Sequence, residues 1–244
     1  MNGVKGVLYR ELRIYRRRWG KHLASYTVSP LLYLLVFGLG VGHGMRMENV
    51  DYLTFLLPGL ATMASMTHSY STATEINIAR FYWRIFEEYQ MAPVSAWEIA
   101  LGEVLYGMIR GLAAAATVYL LALAFGQRLP LSASTAALFC LHTFAFASAA
   151  VVAAMVVRSH ADQGQINTFF IVPMSFLCGT FFSLDRLPTW LKGAVWALPL
   201  SHSSVAIRAA ALGRPLPWAS IAALAGFAAV FFGLAVWTVR RASV

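Results

Sequence analysis

Residues 179–202 read GTFFSLDRLPTWLKGAVWALPLSH, and they stand between two long apolar runs. The stretch carries Asp185, Arg186 and Lys192, with Pro188 and Pro199 among them. Charges and prolines here have no reason in a soluble core. They have one where a chain surfaces between two membrane crossings. Composition agrees. The 244 residues are 59% hydrophobic, 14% aromatic and 12% charged, with a mean hydropathy of +0.64. A soluble domain of this length needs more polar surface. The sequence therefore predicts an all-α integral membrane protein built as a single domain over residues 1–244.

A hydrocarbon core about 30 Å thick takes about 20 helical residues to cross. Six segments qualify: 23–42, 53–78, 99–125, 131–157, 165–182 and 218–239. The latter half of the second, MTHSYSTATEINI, is polar and needs shelter among helices or beside a watery cavity. Lys5, Arg10, Arg13, Arg16, Arg17, Arg18 and Lys21 precede the first span. Arg80, Arg84, Arg158, Arg240 and Arg241 fall on the same side, which makes twelve. The opposite side holds six: Arg46, Arg128, Arg186, Lys192, Arg208 and Arg214. Lys and Arg collect on cytoplasmic flanks, so both termini are expected in the cytoplasm. The net charge of +9 thus belongs to membrane flanks, and no nucleic-acid partner is expected.

Residues 1–22 are too rich in Arg for a cleavable leader, so the first apolar run is expected to stay as a span. Val4, Leu8, Leu12, Tyr15 and Trp19 form one helical stripe. An amphipathic helix of this kind is expected in the membrane interface, its stripe on acyl chains and its cations near anionic headgroups. In the opening stretch, Trp190, Leu191, Ala194, Val195 and Leu198 share a helical face, and Pro199 then breaks it. Residues 201–213 suggest a second short helix. Neither is long enough to cross, so 183–213 is expected to form an outer rim of two short helices, dipping in and returning.

Familiar catalytic chemistry is missing. A P-loop needs Lys before Ser or Thr, but Lys5, Lys21 and Lys192 precede Gly6, His22 and Gly193. No His-Glu-x-x-His zinc motif and no G-x-S-x-G elbow occurs. Cys140 and Cys178 are too few for a cysteine zinc site and are expected to pack as buried thiols. Intramembrane polar residues are costly and often functional. Glu75, Glu103 and Arg110 are the candidates; Glu103 and Arg110 lie about 10 Å apart along one helix face, too far to pair. Each is expected to meet a neighbouring helix or a polar cavity. Gly107 and Gly111, like Gly38, Gly40, Gly42 and Gly44, permit close helix approach, within the chain or across a dimer.

Residues 79–105 read ARFYWRIFEEYQMAPVSAWEIALGEVL. A basic residue, an acidic helix and then x-P-V-x-x-W-E-I entering a span resembles the cytoplasmic loop of type-2 ABC transporter permeases. The G-T-F-F-S-L-D-x-L-P-x-W-L stretch followed by AIRAAALG, and the amphipathic N-terminal helix, resemble other parts of that family in the same order. PLLYLLVFGLG and FLLPGLATMASM look similar to its polysaccharide, nodulation-factor and drug exporter branch. The resemblance covers essentially the whole chain. It implies a permease of the bacterial inner membrane, moving an amphipathic or lipid-linked substrate such as a polysaccharide, a lipo-oligosaccharide or a drug. It implies two copies of a separate ATPase chain that bind ATP and Mg, a second permease that is expected to be identical, and no cofactor in this chain. The loop over 79–98 would then be a coupling helix, with Arg80, Arg84, Phe86, Glu87, Glu88, Met91, Pro93 and Trp97 against the ATPase. Phe169, Phe170, Phe181 and Phe182 of the fifth span are candidates for the substrate path, with packing the alternative for most. Two other functions stay open: a proton-coupled secondary transporter using Glu75 or Glu103, and a membrane scaffold.

Overall fold

Helices without a polar face must be covered by other helices or by lipid, and this chain has both kinds. The computed structural model describes residues 2–42, 44–83, 85–157 and 159–242, apart from the side chains of Leu39, Val41, Phe86, Glu87 and Gln90. Helix α1 (Asn2–Arg17) is followed by α2 (Trp19–Tyr33), which runs on as a π-helical stretch, Leu34–Val41. A hairpin of β1 (Arg46–Met47) and β2 (Val50–Asp51) leads into α3 (Tyr52–Tyr70) and α4 (Thr72–Phe81). Next come α5 (Ile85–Met91), α6 (Ala96–Ala124) and α7 (Ala133–Val156). Helices α8 (His160–Ile166) and α9 (Val172–Leu177) are joined by a second π-helical stretch, Asn167–Ile171. Helices α10 (Thr189–Trp196), α11 (Pro199–Ala211) and α12 (Trp218–Ala242) complete the chain.

Three of these, α6, α7 and α12, are long and apolar enough to cross a membrane by length and composition. They coincide with the segments expected at 99–125, 131–157 and 218–239. The segments expected at 23–42, 53–78 and 165–182 are assembled from consecutive pieces instead. Side-chain caps set several boundaries. Glu98 of α6 accepts from the N–H and hydroxyl of Ser95 at 3.2 and 2.9 Å, and Ser132 accepts from the N–H of Thr135 at the start of α7.

Helix α3 is buried on nearly every side. It packs on α6, α7 and α11. The α6 approach depends on glycine: a Cβ on Gly111 would lie 2.7 Å from Thr143 Cγ2 and 2.9 Å from the Ser65 carbonyl oxygen. The small residues at 107 and 111 thus serve contacts inside the chain. By contrast, α12 leaves Trp218, Val230, Leu234 and Trp237 exposed, a face suited to lipid.

Three expectations need correction. The N-terminal helix ends at Arg17, because Arg18 leaves helical geometry (φ −111°, ψ 13°), so Trp19 begins α2. Helices α10 and α11 are two short helices in the expected stretch, but α11 is drawn into the bundle: ten of its residues are buried, and Arg208, counted above with the outer loops, is 4% exposed. Its guanidinium donates to the carbonyls of Gly179 (2.5 Å) and Phe55 (3.3 Å) and lies 3.9 Å from the Phe55 ring centroid. Gly59 makes that possible, since a Cβ there would come within 2.8 Å of Arg208 Nη2. Finally, Cys140 is exposed while Cys178 is buried.

Gly111→Leu should lower the melting temperature of the purified protein, since forcing volume into a packed contact costs about 1–3 kcal/mol. Gly226→Leu, at a site with nothing within 4 Å of the new Cβ, should not. Equal melting of the two variants would contradict the packing described.

Candidate functional site

Helix α1 rests on α6 because glycines admit it. A Cβ on Gly102 would fall 2.7 Å from Val7 Cβ, and one on Gly3 2.7 Å from Val94 Cγ1. The buried face of α1 is Val7, Glu11 and Tyr15, spaced four residues apart. The apolar stripe expected on acyl chains is thus turned partly onto α6. A carboxylate in the middle of that seam needs an answer, and the Arg10 guanidinium gives it an ion pair. Arg10 Nη1 also donates to Tyr89 Oη at 2.6 Å, which ties α5 to α1. Burial pushes the Glu11 carboxyl up, with Arg10 acting against it. Burial likewise raises the Tyr89 phenol.

Deeper along α6 lies a second pair. Arg110 Nη1 donates to Glu75 Oε1 at 2.6 Å, and Tyr106 Oη donates to Glu75 Oε2 at 2.8 Å. The Arg110 side chain is 5% exposed and that of Glu75 32%. Glu75 belongs to the first turn of α4, where a negative charge also meets the positive end of the helix dipole. Ring contacts join the two layers: Tyr15 packs edge-on to Tyr106 and against His22, and Tyr26 packs edge-on to His68. Glu103 is buried on the same helix, within electrostatic reach of Arg10, Glu11 and Glu75. A cavity of about 140 Å³ opens among Glu11, Arg18, His22, Glu75 and Tyr106. Charge on α4, α6 and α1 is therefore gathered beside the loop that carries α5.

The chain has known relatives. A family model described as ABC-2 type transporter matches residues 3–212. The chain belongs to that family. It is 32% identical over 220 residues to Nodulation protein J of Rhizobium meliloti (strain 1021), covering 87% of this chain and 83% of the relative. It is 26% identical over 215 residues to Inner membrane transport permease YadH of Escherichia coli (strain K12), covering 86% and 83%. The protein is a membrane permease of an ABC transporter, a transport subunit and not itself a catalyst.

The ABC-2 permease distributes the expected site residues unevenly. Glu88, Met91, Pro93 and Trp97 are exposed together on the α5–α6 connection. Arg84, and the side chains of Phe86 and Glu87, lie outside the described residues. Arg80 turns inward: its Nη1 donates to the carbonyls of Ala154 (3.2 Å), Met155 (2.9 Å) and Val157 (3.4 Å). It therefore caps the end of α7, where a cation meets the negative end of the dipole, and this leaves it little freedom to meet a partner. Glu75 and Arg110 find each other, and Glu103 stays apart from both.

Phe169 and Phe170 are 71% and 64% exposed. Phe181 and Phe182 lie beyond the end of α9, in a bend. Phe181 is buried and packs among Tyr33, Phe37 and Phe176. Sequence reasoning missed Arg10, Glu11, Tyr89 and Tyr106. One signal was present: Glu11 falls four residues from both Val7 and Tyr15, on a face otherwise fit for burial.

Arg110→Ala should lower stability by about 1–3 kcal/mol, less than the 3–5 kcal/mol for breaking a fully buried pair, because Glu75 is partly exposed. Thermal melts of Arg110→Ala, Glu75→Gln and the double variant should show strong coupling. Additive effects would mean the pair does not act as one.

Proposed function

We propose that the protein is the permease half of an ATP-driven exporter, working as two permeases with two separate ATPase chains that bind ATP and Mg. Six crossings with both termini in the cytoplasm fit the distribution of Lys and Arg, three of the crossings being assembled from broken helices. The 79–98 segment, α5 included, seats in the ATPase. Met91 and Trp97 are the apolar anchors and Glu88 sets register by charge. The observation that carries this reading is the contrast across α5: Met91 is 83% exposed, while Tyr89 is held by Arg10 of α1. One face awaits a partner and the other grips the membrane part.

Leu32, Leu35 and Val36 of the first segment, with Phe169, Phe170 and Val172 of the fifth, are exposed apolar residues that suit a second permease or a substrate path. A cavity of about 300 Å³ lies between these segments and α3, lined in part by Ser25, Ser29, Thr67, His68 and Ser175. Its hydroxyl and apolar lining suits an amphipathic or lipid-linked substrate. A proton-coupled carrier is the second reading, favoured by Glu103, which is buried without an ion pair among the described residues. It predicts that Glu103→Gln abolishes transport and that an uncoupler does so while ATP remains.

Glu88→Arg combined with Met91→Ser should weaken co-purification with the ATPase by roughly tenfold, as loss of about 1–2 kcal/mol at an interface anchor does. The melting temperature of the permease should hold, since both side chains are exposed. Full ATPase binding by the double variant would overturn the assignment.

A further inference from the structure

Along the C-terminal half of α6, a groove of about 580 Å³ opens between α6 and α7. Small side chains make it: Ala116 of α6 faces Ala136 and Cys140 of α7, and Phe139 backs the trough. Leu120, Leu123 and Leu131, 66%, 57% and 68% exposed, stand along its lip. The volume lies within the range of about 300–1,000 Å³ usual for small-molecule sites. From Leu112 to Leu123 the trough follows α6 for about 16 Å, close to half of a hydrocarbon core about 30 Å thick. One acyl chain of one leaflet has that length. The 125–132 connection contributes Leu129 and Leu131 to the lining and carries Arg128 next to Leu129, exposed and with no ion pair or side-chain hydrogen bond among the described residues.

We propose that this groove binds one acyl chain of an anionic phospholipid, with the lipid phosphate against Arg128. Chain and headgroup are then recognised by different features. The trough takes the hydrocarbon because a methylene chain fills what two alanines leave open. The guanidinium pairs with the phosphate oxygens and favours an anionic lipid, because no cationic group on the same headgroup offsets that charge. The lipid becomes a fixed part of the α6–α7 surface, far along α6 from Glu103, and makes the packing of these two helices sensitive to the anionic content of the leaflet.

Cys140 is exposed at the groove and the other cysteine is buried, so a bimane fluorophore can be attached to the natural chain. The full-length labelled permease is placed in phosphatidylcholine nanodiscs, and phosphatidylglycerol with brominated acyl chains is titrated in. Quenching should saturate at a low mole fraction and be weaker with brominated phosphatidylcholine of the same chains. Arg128→Ala should raise the half-saturating fraction about fivefold, the equivalent of about 1 kcal/mol for one cation near anionic lipid. Ala116→Phe, at an exposed position, should remove the saturable phase without changing the melting temperature. Quenching that merely follows mole fraction, or that ignores Ala116→Phe, overturns the acyl site. An Arg128→Ala titration that overlays the parent overturns the headgroup contact. Oxidative cross-linking of Cys140 to the same residue of a second copy in native membranes also overturns the proposal, since the groove would then hold protein.

Discussion

A charge inside a mostly apolar helical bundle must be answered where it stands, and the pair of Arg110 with Glu75 is where this protein does so. Water is not at hand to solvate a guanidinium that is only 5% exposed. The pair fixes α4 against α6, and Tyr106 shares the same carboxylate. Tyr106 in turn supports Tyr15 of α1, and α1 holds α5 through Arg10 and Tyr89. The placement of the exposed loop is thus set by a chain of contacts that begins at one partly buried ion pair. Removing a link leaves the elements present but free to shift.

Elsewhere the chain answers its charges differently. Arg208 has backbone carbonyls and an aromatic face, with no carboxylate within salt-bridge distance among the described residues. It pins α11 to α3 and to the turn at Gly179, near the hairpin that Arg214 holds through Glu48. Arg80 has the carbonyls that end α7. A guanidinium has five donors and can close a structure without an acid. Met91, Trp97, Phe169 and Phe170, by contrast, stand exposed.

Local sequence carried the long helices well. The apolar runs placed α6 and α7 closely, at 99–125 and 131–157, because hydropathy is local; the caps at Ser95 and Ser132 were not read from the sequence. It also carried the inference that Arg110 meets a neighbouring helix or a polar cavity. That the partner is Glu75 was not legible, since helix adjacency is tertiary and nothing near either residue records it. A short helix over 201–213 is legible in the sequence, since thirteen residues with serines and an arginine are too short and too polar to cross; its burial is not. Burial came from partners that sequence does not display, namely Gly59, Gly179 and the Phe55 ring. The two π-helical stretches left no sign in the apolar pattern, which reads the same in either winding. Arg80 looked like a surface cation because its acceptors are carbonyls of residues more than seventy positions away.

If the exposed loop is the handle of the permease, α1, α5 and α6 must move as one body. The most direct test is a spin-label distance between Arg13→Cys on α1 and Glu88→Cys on α5, with the two natural cysteines replaced. It is measured in the assembled transporter without nucleotide and with ATP trapped. Rigid coupling through Tyr89 and Arg10 predicts one distance distribution in both states, while distances from either label to its symmetry mate change. A shift of the 13–88 distance between the two states would contradict it.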